Sequence, residues 1–195
     1  MIELYLTDDE RANELLATDH FALLVGMLLD QQIPMERAFR GPLELEQRLR
    51  ALGRTFDACS IAAMDPEDLA RLVATKPALH RFPTSMAKRI HALAVSVCEH
   101  YAGDVTALWE DVRDAAELRR RIEAMPGFGD EKARIYLALL AKRFGVRPDG
   151  WERESEPFGE PGSFRSVADA VSPEAIERIR ETKAAVKAAR AKARQ

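Results

Sequence analysis

The residues best suited to chemistry are Met125-Pro126-Gly127-Phe128-Gly129-Asp130-Glu131-Lys132-Ala133, where a Pro-Gly-apolar-Gly turn separates two stretches of helical periodicity. Two glycines let the backbone reverse sharply with no Cβ in the way, and the N–H groups that open the second helix have no partner inside it. Such groups point outward and hold an anion, most simply a phosphate. A plain corner, with glycine used only for turning, is the alternative reading of the same residues.

The elements that must position this turn are helices. Leu118, Ile122 and Met125 recur at helical spacing before it, and Ala133, Tyr136, Leu137, Leu140, Ala141 and Phe144 after it. The rest of the chain reads as nearly all helical, with helices predicted over 8–17, 21–31, 35–51, 57–63, 66–75, 85–101, 115–125, 130–144, 164–170 and 173–193. Gly41-Pro42 is expected to break or kink the third. Asp65-Pro66 and Ser172-Pro173 each read as an N-cap followed by proline, whose missing N–H costs nothing there. Ile2–Leu6 alternates and reads as a short strand or an extended arm. From Trp151 to Gly162 glutamates alternate with proline and glycine, which reads as a linker-like loop.

The hairpin resembles the helix-hairpin-helix motif of the helix-hairpin-helix, Gly/Pro-rich, Asp superfamily of base-excision DNA glycosylases. In that family a catalytic aspartate follows the second hairpin glycine after one helix and a short loop. Asp149, twenty positions beyond Gly129 and past a helix stop at Gly145, takes this register. Phe21 to Gln32 is similar to the family's apolar early helix and glutamine turn, which puts Gln32 in the space left by a flipped base. Phe82-Pro83-Thr84-Ser85-Met86-Ala87-Lys88-Arg89-Ile90 resembles the segment that carries the inserting wedge, with Phe82 at the wedge position. The resemblance runs over roughly residues 20 to 150 in family order, and the hairpin is its specific part. It implies an all-α, two-lobed glycosylase-like fold acting on double-stranded DNA with a damaged or mismatched base. Contacts would come from Gln32, Phe82, Gly127, Phe128, Gly129 and Lys132, and catalysis from Asp149.

Reaching the N-glycosidic bond in a duplex requires taking the nucleotide out of the stack. A carboxylate against the sugar then stabilises the oxocarbenium charge or activates water. Family members that also cut the strand use a Schiff-base lysine two residues after the second hairpin glycine. Here that position is Glu131, and Lys132 lies about 100° further round the helix, so a monofunctional enzyme is expected. Lys132 is then left to contact phosphate or to pack its stem.

The setting Arg147-Pro148-Asp149-Gly150-Trp151 departs from the family, which precedes its aspartate with apolar residues. Pro-Asp-Gly is an ordinary type I turn sequence. If Asp149 only shapes a turn, Asp30, Glu152 or Glu154 is the alternative acid, or the chain is a noncatalytic DNA-binding module. A helical protein-interaction module is a third reading. The base is not set by the sequence; Tyr136, Trp109 and Trp151 are the aromatic residues near the expected pocket, and each also reads as core.

Bulk properties agree with a folded domain of 195 residues, 47% of them hydrophobic. The organisation expected is a glycosylase-like domain over 1–171, hairpin motif 116–145, followed by a basic C-terminal helix or tail over 172–195. That tail turns alanine-rich after Lys183 and reads as a solvated end or a nonspecific DNA tether. Net charge is −3, but seven acids crowd the first 30 residues, whereas 76–91 hold four bases and no acid. Glu117 to Arg147 holds eight bases against four acids, and the Arg119–Arg121 run reads either as phosphate contact or as a solvated helix face. Cys59 and Cys98 lie in separate apolar patterns and are expected to be buried thiols. Nothing after Cys98 could ligate the iron–sulfur cluster that many related enzymes carry, so no metal or cofactor is expected. A monomer in the cytoplasm, associated with the nucleoid and not with a membrane, completes the expectation.

Overall fold

The computed structural model describes residues 2–192, of residue 190 only the backbone. Among them are ten α-helices and two short 3-10 turns, with no strand. The centre is α2 (His20–Leu29), apolar on every side and buried along its length from Phe21. A helix of that composition must be wrapped by others. The Asp19 carboxylate starts it, accepting from the N–H groups of Phe21 at 2.8 Å and Ala22 at 3.0 Å. Around it pack α1 (Glu10–Thr18), α3 (Met35–Ala51) and, further along, α6 (Pro83–Tyr101). Ile2–Leu6 forms no strand; it is an extended arm fixed by the Tyr5 amide donating to the Ala170 carbonyl at 3.0 Å.

Gly41-Pro42 does not break α3, which continues through both residues to Ala51. The glycine is there for proximity: a Cβ on Gly41 would come within 2.5 Å of Leu29 Cδ1 on α2. Two short helices, α4 (Ala58–Ala62) and α5 (Pro66–Ala74), pack on α6. Asp65 caps α5 ahead of Pro66 as expected, accepting from the Glu67 amide at 2.7 Å. The two cysteines are not free thiols. Cys59 on α4 and Cys98 on α6 form a disulfide with Cα atoms 5.0 Å apart, across a sequence separation of 39. The sequence hid the pairing because only the packing of α4 on α6 brings the two apolar faces together. A cross-link over such a loop stabilises a fold by about 2–4 kcal/mol.

The second half opens with α7 (Ala115–Glu123), the hairpin and α8 (Asp130–Arg143). Trp151–Glu154 is a helical turn, α9, and the residues after it are strapped to α8 instead of looping free. Lys142 Nζ donates to the carbonyls of Phe158 (2.7 Å) and Glu160 (2.8 Å) and to the Asp169 carboxylate (2.7 Å). The helix predicted over 164–170 shrinks to a 3-10 turn at Val167–Asp169. Ser166 and Asp169 take up local N–H and O–H groups with their side chains, which competes with helical pairing. The last helix, α10 (Pro173–Lys192), is capped by Ser172 and joins the core through Ala175, Ile176 and Ile179. Position 193 of the predicted helix and Arg194 lie outside the described residues. No single described helix is long and apolar enough to cross a membrane.

Candidate active site

The hairpin after α7 turns where the sequence places it, yet its two glycines do different work. Gly127 has φ +86°, and a Cβ there would meet Leu28 Cδ1 at 2.2 Å, so this residue fixes the hairpin against α2. Gly129 is the N-cap of α8 in extended backbone, with no side-chain cap and nothing within 4 Å of an added Cβ. It leaves open space in front of the helix N-terminus. Phe128, expected among the DNA contacts, is a core residue instead: its ring is buried and meets Tyr136 edge-on at 6.0 Å. Its amide is also used, donating to the Met125 carbonyl at 3.0 Å. An apolar hairpin residue flanked by open backbone finds its burial inward, which sequence alone does not say.

Beside the hairpin lies a cleft of about 900 Å³, within the range of ligand sites. Its walls are the end of α2, the start of α8, the 157–158 segment and one face of α10. Two oppositely charged groups stand inside it. Asp30, the C-cap of α2, is half-buried, and that burial raises its carboxyl above the usual aspartate value despite the lowering influence of Lys183 and Lys132. Lys132 donates to the Met27 carbonyl at the end of α2. Burial pushes its ammonium down to about 8, while Asp30 pulls the other way and Arg89 adds to the fall. Lys132, a step round α8 from the position of the family's Schiff-base lysine, thus faces the cleft. Glu131 lines the cleft too, so its mouth admits both positions.

The rim joins the two other expected elements. Gln31 lines the cleft, with its amide held by the Leu28 carbonyl (2.8 Å) and by Arg89 (2.8 Å). Gln32, the expected gap-filler, is exposed with φ +57° and lies outside the cleft lining. Phe82 caps α6 with its side chain 47% exposed, the Arg81 guanidinium 4.8 Å above its ring. Lys88 and Arg89 are exposed on the first turns of α6. Between these elements His80 is 2% exposed; its Nδ1 accepts the Phe82 amide (3.1 Å), leaving Nε2–H to donate to the Gln31 carbonyl (2.7 Å). An exposed aromatic in a basic setting, tied to a glutamine turn, suits a surface that presses on a polyanion.

Asp149 is not brought to this cleft. It is exposed, and its backbone bridges the start of α7, its amide donating to Arg113 (2.7 Å) and its carbonyl accepting from Ala115 (3.0 Å). That is the end of α7 opposite the hairpin, about 13 Å of helix away. Of the alternative acids, Asp30 is in the cleft. Glu154 is spent on Arg119 at 3.0 Å, and Glu152 is exposed outside it. The Arg119–Arg121 run is also spent: Arg119 pairs with Asp130 (2.8 Å) and Glu154, Arg121 with Asp111 (2.9 Å) and Glu117 (3.0 Å), Arg120 with Glu117. Trp109 packs on His20 and Tyr136 is fully buried, so the aromatic ring in the cleft is Phe158. Phe158 and Arg165 carried no signal in the sequence, being set by the straps to α8.

A family model described as HhH-GPD superfamily base excision DNA repair protein matches residues 25–194. A search among curated proteins gives no match.

Proposed function

Because that match spans most of its length, the chain belongs to the HhH-GPD superfamily of base-excision DNA repair proteins, and we propose that it is a monofunctional DNA glycosylase whose working carboxylate is Asp30. The observation behind this reading is the pair of Asp30 and Lys132 inside the cleft that Gly127 and Gly129 flank. A phosphate at the open N-terminus of α8 would set the strand beside that cleft. Phe82 would press into the stack, and the extruded nucleotide would enter with its base toward Ile135 and Phe158. As the C1′–N bond breaks and the base leaves with its electron pair, the ionised Asp30 opposes the positive charge on the sugar; water adds at C1′ and its proton neutralises the departed base, while the Lys132 ammonium favours the ionised form of Asp30. Double-stranded DNA is the one partner this scheme needs, and a monomer suffices.

The test is single-turnover base release from a panel of damaged and mismatched duplexes, with Asp30→Asn and Asp149→Asn compared. Loss on Asp30→Asn with activity kept by Asp149→Asn supports the reading. The reverse returns catalysis to the position picked out by the family register. No release by the wild type, with DNA binding intact, leaves a noncatalytic binding module.

One observation favours a second reading. An amine whose proton leaves near pH 8, inside the cleft, is suited to attack C1′ of the sugar and expel the base, the new C1′–N bond becoming an imine as the C1′–O4′ bond of the ring opens. Borohydride trapping separates the two: the monofunctional reading expects an intact abasic strand and no covalent adduct, whereas an adduct lost in Lys132→Gln establishes the lyase.

A further inference from the structure

The distal half of α10 was expected to be a solvated end or a nonspecific DNA tether, and one of its faces forms a wall of the cleft. Thr182, Lys183, Val186, Lys187 and Ala191 all line it, at the three- and four-residue spacing of a single helical stripe. Of these five, Thr182 and Val186 are half-buried; Lys183, Lys187 and Ala191 are exposed. From Thr182 to Lys192 the helix carries no acid. It is anchored by Ile176 and Ile179 in its first half, while its alanines keep the second half helical with little packing to help.

The charge of the cleft depends on this wall. The hairpin side brings acids as well as amides: Asp130 and Glu131 open α8, and Asp30 stands behind them. Lys132 and Arg165 leave these three carboxylates in excess by one along the lining, but Asp130 is paired with Arg119 (2.8 Å) and Arg134 (3.0 Å), which brings the hairpin side to about neutral. Lys183 and Lys187 then give the cleft its cationic excess. A polyanion gains little from a neutral cleft and is attracted to a cationic one, so α10 supplies the charge that a cleft working on DNA uses.

We infer that the Lys183 and Lys187 face of α10 is a second phosphate-binding surface, gripping the DNA backbone across the cleft from the hairpin. This rests on the DNA reading above. The duplex is then held from two sides, by open amides at Gly129 and by two ammonium groups opposite. Such contacts position the strand without reading its sequence.

The experiment uses the full chain and its Lys183→Gln/Lys187→Gln variant, titrated against a fluorescent duplex containing an abasic-site analogue at several salt concentrations. Each phosphate contact contributes about 0.9 to the slope of log affinity against log salt, so the slope should fall by about two. Affinity near 0.1 M salt should fall on the order of tenfold for each lysine, equally for all sequences. A chain ending at Glu181, which keeps the Ile176 and Ile179 anchors, should show the same loss. Unchanged affinity and slope overturn the inference, and tighter binding by either variant overturns it too, identifying α10 as an obstruction. A Gly129→Val control separates the failures. If the wild type binds no duplex, the DNA reading falls; if it binds through Gly129 while the lysine variant is unaffected, only the second surface falls.

Discussion

His80 Nε2 lies 2.7 Å from the carbonyl oxygen of Gln31, and through this bond the glutamine turn is coupled to the exposed Phe82, whose amide the same imidazole accepts. The arrangement needs a neutral ring with its proton on Nε2. His80→Ala should leave the Gln31 carbonyl and the Phe82 amide without their buried partner, at a stability cost of about 1–3 kcal/mol. More tellingly, it should reduce base extrusion, read by a fluorescent base analogue, to the same level as Phe82→Ala. The double variant should be no worse than either single one, because both remove one device. Strictly additive losses would mean that His80 holds only the fold.

The cleft pair sets the pH dependence. Asp30 titrates above the usual aspartate range, so excision should rise with pH through that raised value and not before it. Lys132 loses its proton near 8, and activity that uses its charge should decline above that point. Lys132→Met removes the cation that favours ionised Asp30, so the acid limb should move to higher pH and the alkaline limb should vanish. Stability offers an independent check. With the folded ammonium at about 8 and the free value at 10.5, the unfolded chain binds more protons between them, so stability should increase with pH across that window. Denaturant titrations at pH 8 and 10 should show this rise in the wild type and less of it in Lys132→Met.

The two hairpin glycines should separate cleanly. Gly127→Ala places a Cβ against Leu28 in a left-handed backbone conformation, and both effects act on the fold. Its melting temperature should drop by an amount corresponding to more than about 1 kcal/mol. Gly129→Val meets nothing in the protein and should fold normally, while its side chain occupies the space before α8 and weakens duplex binding for every sequence. A folded Gly129→Val that binds as well as wild type would remove the α8 N-terminus from the interface.

These contrasts show which parts of the molecule the sequence discloses. Helix periodicity, caps such as Asp65 and Ser172, and the turn at Gly127–Gly129 are local, and they stand where the residues predict. Phe128, Asp149 and the cysteines are different because their roles depend on which element packs opposite. Phe128 could face outward or inward until α8 supplies Tyr136 as its partner. Asp149 keeps the family spacing along the chain, but its backbone pairs with Arg113 and Ala115 and draws it to the far end of α7. Asp30 was readable only as one acid among several. The charges that face it, Lys183 and Lys132, are both distant in sequence.

The disulfide carries the last prediction, since a bond between α4 and α6 has no place in a reading of separate buried thiols. Its contribution comes chiefly from restricting the unfolded chain, so reduction should lower stability by about 2–4 kcal/mol. In a domain of this size that is a fall of roughly 4–16 °C in melting temperature. Cys59→Ala/Cys98→Ala should melt at the temperature of the reduced wild type and should not respond to reductant. Intact mass without reductant should be lighter than the reduced mass by two hydrogens. Excision and DNA binding should change little below the melting range, because the bond lies on helices that do not line the cleft. A wild-type protein whose mass and melting temperature are the same with and without reductant would show two free thiols and return both cysteines to plain core residues.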